Sequence, residues 1–295
     1  MSVDEHKLID GDIMDPTTIL IISSAVSGAA GSFIREISSN GIKWLIELVT
    51  AQSPQMQATA KINLENFVTR LAARVERLEN EIPADQSEIF KNALNHPGSA
   101  LLIKTAMIDS ATTDNNEKHE ILAELIAKRL TANADDMIAL AGSAACSVVI
   151  SLSSRQIKIL AILSTIKNIR PLQKNNLSTP EDAKIYISNW WKNNIDPLIE
   201  DKNIDNATAL DFEHLAAMGC IRISIGTCDL AKTVSSGLLF IDPDFSEQDF
   251  IDQKWFNTLK KQWGNIGHAT PTSIGQLIGI LHRDTKLKTK TQINW

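Results

Sequence analysis

Helical periodicity constrains this chain more than any other feature of its sequence. In QMQATAKINLENFVTRLAARVERLENE, residues 55–81, apolar side chains recur at spacings of three to five positions, with Arg and Glu between them. This spacing places the apolar side chains on one face of an α-helix. The face includes Ile62, Phe67, Leu71, Val75 and Leu78. Pro54 precedes the helix and Pro83 ends it.

Further amphipathic segments follow, separated by short polar loops, as far as residue 170. Asp114 is predicted to cap one of these helices, and Ser153 or Ser154 the next but one. Successive helices with short loops are typical of a bundle. The polar segment RPLQKNNLSTPED, with two prolines, then predicts a domain boundary. We therefore expect a mainly α protein, with an N-terminal helical bundle domain over residues 1–170.

Residues 171–295 are expected to form a small C-terminal α+β domain. A helix is predicted to end at Gly219, which suits a left-handed C-cap. Short strands are predicted from Cys220 to Ile225 and from Ser236 to Asp242, and Pro271 is predicted to open a last helix. Helix, strand, loop and strand occur in this order in winged-helix domains too, so a winged-helix-like tail is one form that this domain can take.

The segment from Pro16 to Ile34 has no charged residue. As a helix its 19 residues would measure about 28 Å, close to the ~30 Å hydrocarbon core of a membrane. Its serines and glycines favour a helix packed within protein, where small residues allow backbones to approach closely. The candidate face for a partner helix or a membrane comprises Ala25, Gly28, Ala29 and Ser32, with Trp44 in the amphipathic segment that follows. Conditional membrane insertion of residues 16–49 is the alternative.

The charge distribution gives the chain an acidic body and a basic end. The net charge is −6, so no overall field attracts nucleic acid. Residues 254–295, however, carry seven basic residues and one acid. The candidate contacts for an anion or nucleic acid are Lys260, Lys261, Lys286, Lys288 and Lys290. We expect weak, non-specific binding there at most.

No motif in the sequence identifies a catalytic, metal or cofactor site, so we expect neither catalysis nor a cofactor. The pair His119-Glu120 lacks the second histidine that a zinc-protease helix needs, because position 123 is Ala. The chain's three cysteines, Cys146, Cys220 and Cys228, have no zinc-finger spacing and no paired spacing for disulfides. Their number and the acidic start of the chain favour a cytoplasmic location.

Adjacent tryptophans give a further candidate site. Side chains at Trp190 and Trp191 point about 100° apart on a helix. One of them is expected to pack inward while the other lies at a surface that can bind a protein partner. Trp255 and Trp263 are expected to belong to the core of the C-terminal domain.

The order of several segments resembles an uncharacterised, locus-tag-named family of bacterial proteins. The segments are DNNEKHEILAELIAKRL, SLSSRQIKILAIL, FEHLAAMGCIRISIG and TSIGQLIGIL, within residues 90–285. More loosely, the chain is similar to the abortive-infection alpha proteins of bacterial phage defence. The resemblance implies a helical body, a small α+β tail and a defence context, and it supplies no active-site residues.

Three functional hypotheses follow. The first is a non-catalytic interaction or effector protein in bacterial antiphage defence, which binds a protein partner or itself. The second is a conditional membrane-disrupting toxin that acts through helices 16–49. The third is a nucleic-acid-binding protein that uses the basic C-terminal domain.

Overall fold

The structure is a computed structural model that describes residues 53–83, 86–133, 135–169, 171, 179–200, 204–226, 229–235 and 245–291. These residues are mainly helical, as the sequence predicted, with one two-stranded sheet. The chain divides into two compact units. The first comprises residues 1–114 and 130–134, and the second residues 115–129 and 135–295.

The first unit contains helices α1 (Pro54–Glu81), α2 (Ser87–Asn95) and α3 (Pro97–Ala111). Ser53 caps α1 by accepting a hydrogen bond from the Met56 backbone N–H, and Pro54 occupies the first turn, where its missing N–H costs nothing. The predicted apolar face is buried at Phe67, Leu71 and Val75. Ile62, however, is exposed, because the buried stripe begins one position later at Asn63 and Leu64.

The second unit contains the remaining helices of the described residues and both strands. The helices are α4 (Asn116–Leu130), α5 (Met137–Val149), α6 (Ser154–Asn168), α7 (Pro180–Ile199), α8 (Ala209–Ala217), α9 (Leu230–Ser235), α10 (Lys254–Ile266) and α11 (Ser273–Leu287). A 3-10 turn spans Glu247–Asp249. The strands are β1 (Ile221–Ile223) and β2 (Ala269–Pro271).

Helix α11 packs along α6, and this packing is central to the second unit. Gly275 and Gly279 lie so close to their neighbours that an added Cβ at Gly279 would meet the Leu160 carbonyl carbon at 2.6 Å. The predicted boundary after residue 170 therefore falls inside the second unit, because α6 and α11 come from opposite sides of it. The division found instead follows Asp114.

Three helix boundaries refine the predictions. Ser153 caps α6 through a capping box with Gln156, as predicted. The cap of α4 is Asn115 rather than Asp114, because its Oδ1 accepts from the Glu117 backbone N–H at 2.9 Å. Pro271 does not open the last helix, because it lies in β2 and Thr272 is the N-cap.

Candidate interaction surface

A two-stranded antiparallel ribbon, residues 221–225 with 268–271, carries two exposed apolar side chains, Ile223 and Ile225. Strand β1 pairs with β2 in the register Ile221 with Pro271 and Ile223 with Ala269. The pairing continues beyond β1, where the Ser224 N–H donates to the His268 carbonyl at 2.9 Å. His268 Nδ1 lies 3.1 Å from the Ser224 carbonyl and must carry the proton, because a carbonyl only accepts.

The base of the ribbon is fixed to the N-terminus of α11. Thr272 donates its hydroxyl to the Gly219 carbonyl at 2.6 Å, and its backbone N–H donates to the Cys220 carbonyl at 2.9 Å. Gly219 has φ +68°, the left-handed conformation that was predicted for it. Cys220 is buried, and burial raises the pKa of its thiol to about 12. The thiol is thus a packed apolar group and a poor nucleophile.

Exposure increases along β1 from the base outward. Ile221 is 3% exposed, Ile223 is 56% exposed, and Ile225 is fully exposed at 108%. Ile221 and Ile223 lie two positions apart on β1 and share a face, and Ile225 follows in the bend after the strand.

The two outer edges of the ribbon differ in chemistry. The hydrogen bonds at Cys220 and Ser224 show that even-numbered residues of β1 face β2. The backbone N–H and C=O of Ile221 and Ile223 therefore point away from β2. On the other strand the outward positions are held by Ala269, which is fully buried, and by Pro271, which has no N–H to offer. Ile221 is buried, so β1 presents at Ile223 an edge that can pair with another strand, whereas Pro271 blunts the edge of β2.

A second polar site lies among α4, α6 and α11. Glu117 forms an ion pair with Lys286, with 2.7 Å between Oε1 and Nζ. Burial opposes ionisation of Glu117, but the Lys286 hydrogen bond and the charges on His282, Lys286 and Lys158 outweigh it, so the pKa of Glu117 is lowered. Lys158 and His282 are themselves almost wholly buried. This cluster joins three helices, and we assign it a structural role.

The five lysines predicted to contact anions have different surroundings. Lys260 binds Glu247 at 2.5 Å, and Lys286 binds Glu117. Lys261 and Lys288 are exposed, and Lys288 holds the left-handed conformation (φ 54°) that ends α11. Lys290 is exposed as well. At least two of the five charges are thus partly neutralised within the protein.

The adjacent tryptophans of α7 point in different directions, as expected. Trp191 is fully buried and donates its indole N–H to the Val234 carbonyl at 2.7 Å. Its ring stacks on Trp255 with 6.1 Å between centroids, and Trp255 is buried too. Trp190 is half-buried and meets Trp191 edge-on. Trp263 is half-buried under the Lys167 ammonium, 5.9 Å from the ring centroid.

Several of the remaining predicted sites lie outside the described residues. The helix face of Ala25, Gly28, Ala29 and Ser32, and Trp44 after it, lies outside the described residues. So do Cys228 and the strand predicted from Ser236 to Asp242. Within the described ranges, no helix is both long enough and apolar enough to cross a membrane. The same residues contain no group of three or more His, Cys, Asp or Glu side chains arranged to hold a metal ion.

The sequence predicted β1 but not the ribbon. Alternation of Ile with Arg and Ser in IRISI, residues 221–225, is the signal of a half-buried strand. The segment ATP, residues 269–271, gives no such signal, because Ala and Pro disfavour strands. A search for a segment able to pair with β1 could have used Pro271 as a signal, because proline has no backbone N–H and lies at the edge of a sheet.

Comparison with known proteins gives one match. No curated protein matches the chain, and no solved structure matches it. A family model matches residues 31–252, which include most of the predicted helices and β1. The chain belongs to this family, an uncharacterised one that is named after a locus tag.

Proposed function

We propose that this protein is a non-catalytic interaction protein that binds a protein partner through the outer edge of β1. The observation that carries the proposal is the outward-facing backbone N–H and C=O of Ile223, which have no hydrogen-bond partner among the described residues, together with the exposed side chains of Ile223 and Ile225. Strand addition uses both features, since main-chain hydrogen bonds supply affinity and alternate side chains supply specificity.

Exposure of such an edge needs a reason, because open strand edges promote aggregation. Proteins usually protect them with charge, with proline or by covering them. Here Pro271 and the burial of Ala269 protect one edge, while the other exposes Ile223 and Ile225 beside the single charge of Arg222. An apolar edge beside a protected one is what a binding surface requires.

Bacterial antiphage defence of the abortive-infection type is the context that we propose. It rests on the resemblance in segment order to abortive-infection alpha proteins, and it implies a cytoplasmic location. The nucleic-acid alternative is the weaker one, because Lys260 and Lys286 already have carboxylate partners. The membrane-toxin alternative predicts that the protein releases dye from liposomes and that Ser24→Arg abolishes the release.

Phage challenge of bacteria that express the chain tests the proposal. Wild type is expected to lower the plating efficiency of at least one phage in a diverse panel. Ile223→Lys is expected to lose this protection, because a charge on the edge blocks strand addition. Ile251→Lys is the matched control, since Ile251 is also an exposed isoleucine (46%) of the second unit but lies outside the ribbon. Full protection by Ile223→Lys would contradict the proposed surface, and no protection by wild type would contradict the defence context.

A further inference from the structure

We propose that residues 288–291 form a strap that locks α7 against α11 through Arg283 and that opens while both helices stay folded. This device is separate from the proposed binding edge at Ile223. Helix α11 ends at Leu287, and Lys288 takes the left-handed conformation (φ 54°). Thr289 then donates its backbone N–H to the Asp284 carbonyl at 3.1 Å, so the chain turns back over the last turn of the helix.

The Asp284 carboxylate fastens the strap. The hydroxyls of Thr289 and Thr291 both donate to Asp284 Oδ1 at 2.7 Å. The backbone N–H of Thr291 donates to the other oxygen, Oδ2, also at 2.7 Å. Hydrogen bonds to an ionised carboxylate are stronger than those between neutral groups, so one side chain holds three groups of the strap in place.

Arg283 connects the strap to α7. Its side chain is buried, and Nη1 donates to the Thr291 hydroxyl at 3.0 Å and to the Thr289 hydroxyl at 3.3 Å. Nη2 donates to Oδ1 of Asn194, which lies on α7. Nε has no hydrogen-bond partner among the described residues. Loss of the two hydroxyls would leave a buried cation with still fewer partners, which is costly, so Arg283 would shift and its bond to Asn194 would weaken.

The end of α7 depends on this contact because a proline lies inside it. Pro197 has no backbone N–H, so the last turn of α7 lacks one of its helical hydrogen bonds. Asn194 stands just before this weak point. Its Nδ2 donates to the Trp190 carbonyl of the same helix at 2.8 Å, while its Oδ1 accepts from Arg283. Asn194 thus joins the turn before the proline to α11.

Polar contacts alone hold the strap, which allows it to open by itself. Lys288, Thr289 and Lys290 are exposed and Thr291 is half-buried, so closing the strap buries no apolar side chain completely. Helix α11 instead buries several large apolar residues, among them Leu277 and Ile278. Segments with little buried apolar surface open at lower free energy than the core does.

Hydrogen exchange of the full chain, followed by NMR, tests the strap. In wild type, the amides of Thr289 and Thr291 are expected to exchange more slowly than in an unstructured peptide and faster than those of Leu277 and Ile278. The double variant Thr289→Val, Thr291→Val removes both hydroxyls and keeps shape and charge. It is expected to speed exchange of the strap amides at least about tenfold, because bonds to a charged group are lost. Exchange of the α7 amides after Asn194 is expected to rise as well.

Thr285→Val is the matched control. Thr285 is also an exposed threonine near the end of α11, but its hydroxyl donates within the helix, to the Leu281 carbonyl at 2.9 Å. This variant is expected to leave exchange in the strap and in α7 at wild-type rates. Circular dichroism checks that each variant is folded, and Thr291→Val alone replaces the double variant if the latter loses helical signal.

Three results would overturn the proposal. Strap amides that exchange in wild type as in an unstructured peptide would show that the strap is not closed. Strap amides that exchange as slowly as those of Leu277 and Ile278 would show that it does not open by itself. Faster exchange in the strap of the double variant, with the α7 amides after Asn194 unchanged, would refute the lock between α7 and α11.

Discussion

Replacement of Gly279 by alanine tests the packing of α11 on α6, which supports the ribbon. A Cβ added at Gly279 would lie 2.6 Å from the Leu160 carbonyl carbon, and it would approach the Leu160 carbonyl oxygen and the Ser164 hydroxyl still more closely. Cβ atoms essentially never lie within 3.0 Å of such neighbours. The obstacle is backbone in the middle of α6, so rotation of a side chain does not relieve it. Gly279→Ala must therefore separate the two helices or distort one of them.

Two opposing effects determine the magnitude. Alanine is favoured over glycine in a helix by about 1 kcal/mol. Overpacking a close contact costs about 1–3 kcal/mol and occasionally more. Contact with backbone places Gly279→Ala at or above the upper end of that range, so we expect a net loss of about 2 kcal/mol. For a domain of this size the loss lowers Tm by about 4–8 °C.

Gly264→Ala is the matched control. Gly264 also lies inside a helix of the second unit, α10, but a Cβ there meets no atom within 4 Å. The same chemical change is therefore expected to stabilise the protein by about 0.5–1 kcal/mol. Urea unfolding followed by tryptophan fluorescence measures both variants, and most of the tryptophans lie in the second unit. Equal stabilities for the two variants, or a Gly279→Ala variant as stable as wild type, would refute the packing argument.

Three further predictions concern single groups. Because the pKa of Glu117 is lowered below its ordinary 4.5, its ionised form stabilises the folded state above that pH, and the contribution is lost as pH falls through the lowered pKa. Glu117→Gln should therefore show a smaller fall in stability than wild type between about pH 5 and about pH 3, and parallel urea-titration curves would contradict this. The Cys220 thiol, with its pKa raised to about 12, should react slowly with a thiol reagent at neutral pH in a Cys146→Ala, Cys228→Ser background and quickly in urea; rapid labelling of the folded protein would show that the site opens. Binding of duplex DNA through Lys261 and Lys288 should be weak and should vanish between about 50 and 200 mM salt, whereas tight, salt-resistant binding would favour the nucleic-acid hypothesis.

The helices could be predicted from the sequence because their signals are local. Apolar spacing predicted α1, and Phe67, Leu71 and Val75 are buried as expected. The capping residue Ser153 was identifiable since Gln156 follows at the position that a capping box needs. Such signals depend on residues within one or two turns, so they hold without knowledge of the tertiary structure.

The extent of the second unit could not be predicted in the same way. Helices α6 and α11 pack through Gly275 and Gly279, which are separated from Leu160 by more than a hundred residues. A glycine in a helical pattern indicates a close approach but does not identify the partner. The polar segment 170–182 was a local signal for a boundary, and the long-range packing of α6 with α11 crosses it.

Strand β2 shows why the ribbon edge is informative. Ala269, Thr270 and Pro271 have no strand propensity as a group, so they are extended because they pair with β1 and lead into the cap at Thr272. Pro271 sits at a position whose N–H would face outward, so proline leaves the ladder intact there. Thr270→Pro, by contrast, would remove a ladder hydrogen bond.

The ribbon therefore combines a strand that cannot extend the sheet with one that can. In β1 the exposed outward position is filled by Ile223, although a lysine there would protect the edge with no loss of pairing to β2. That asymmetry within a single ribbon is the strongest argument that β1 binds another strand.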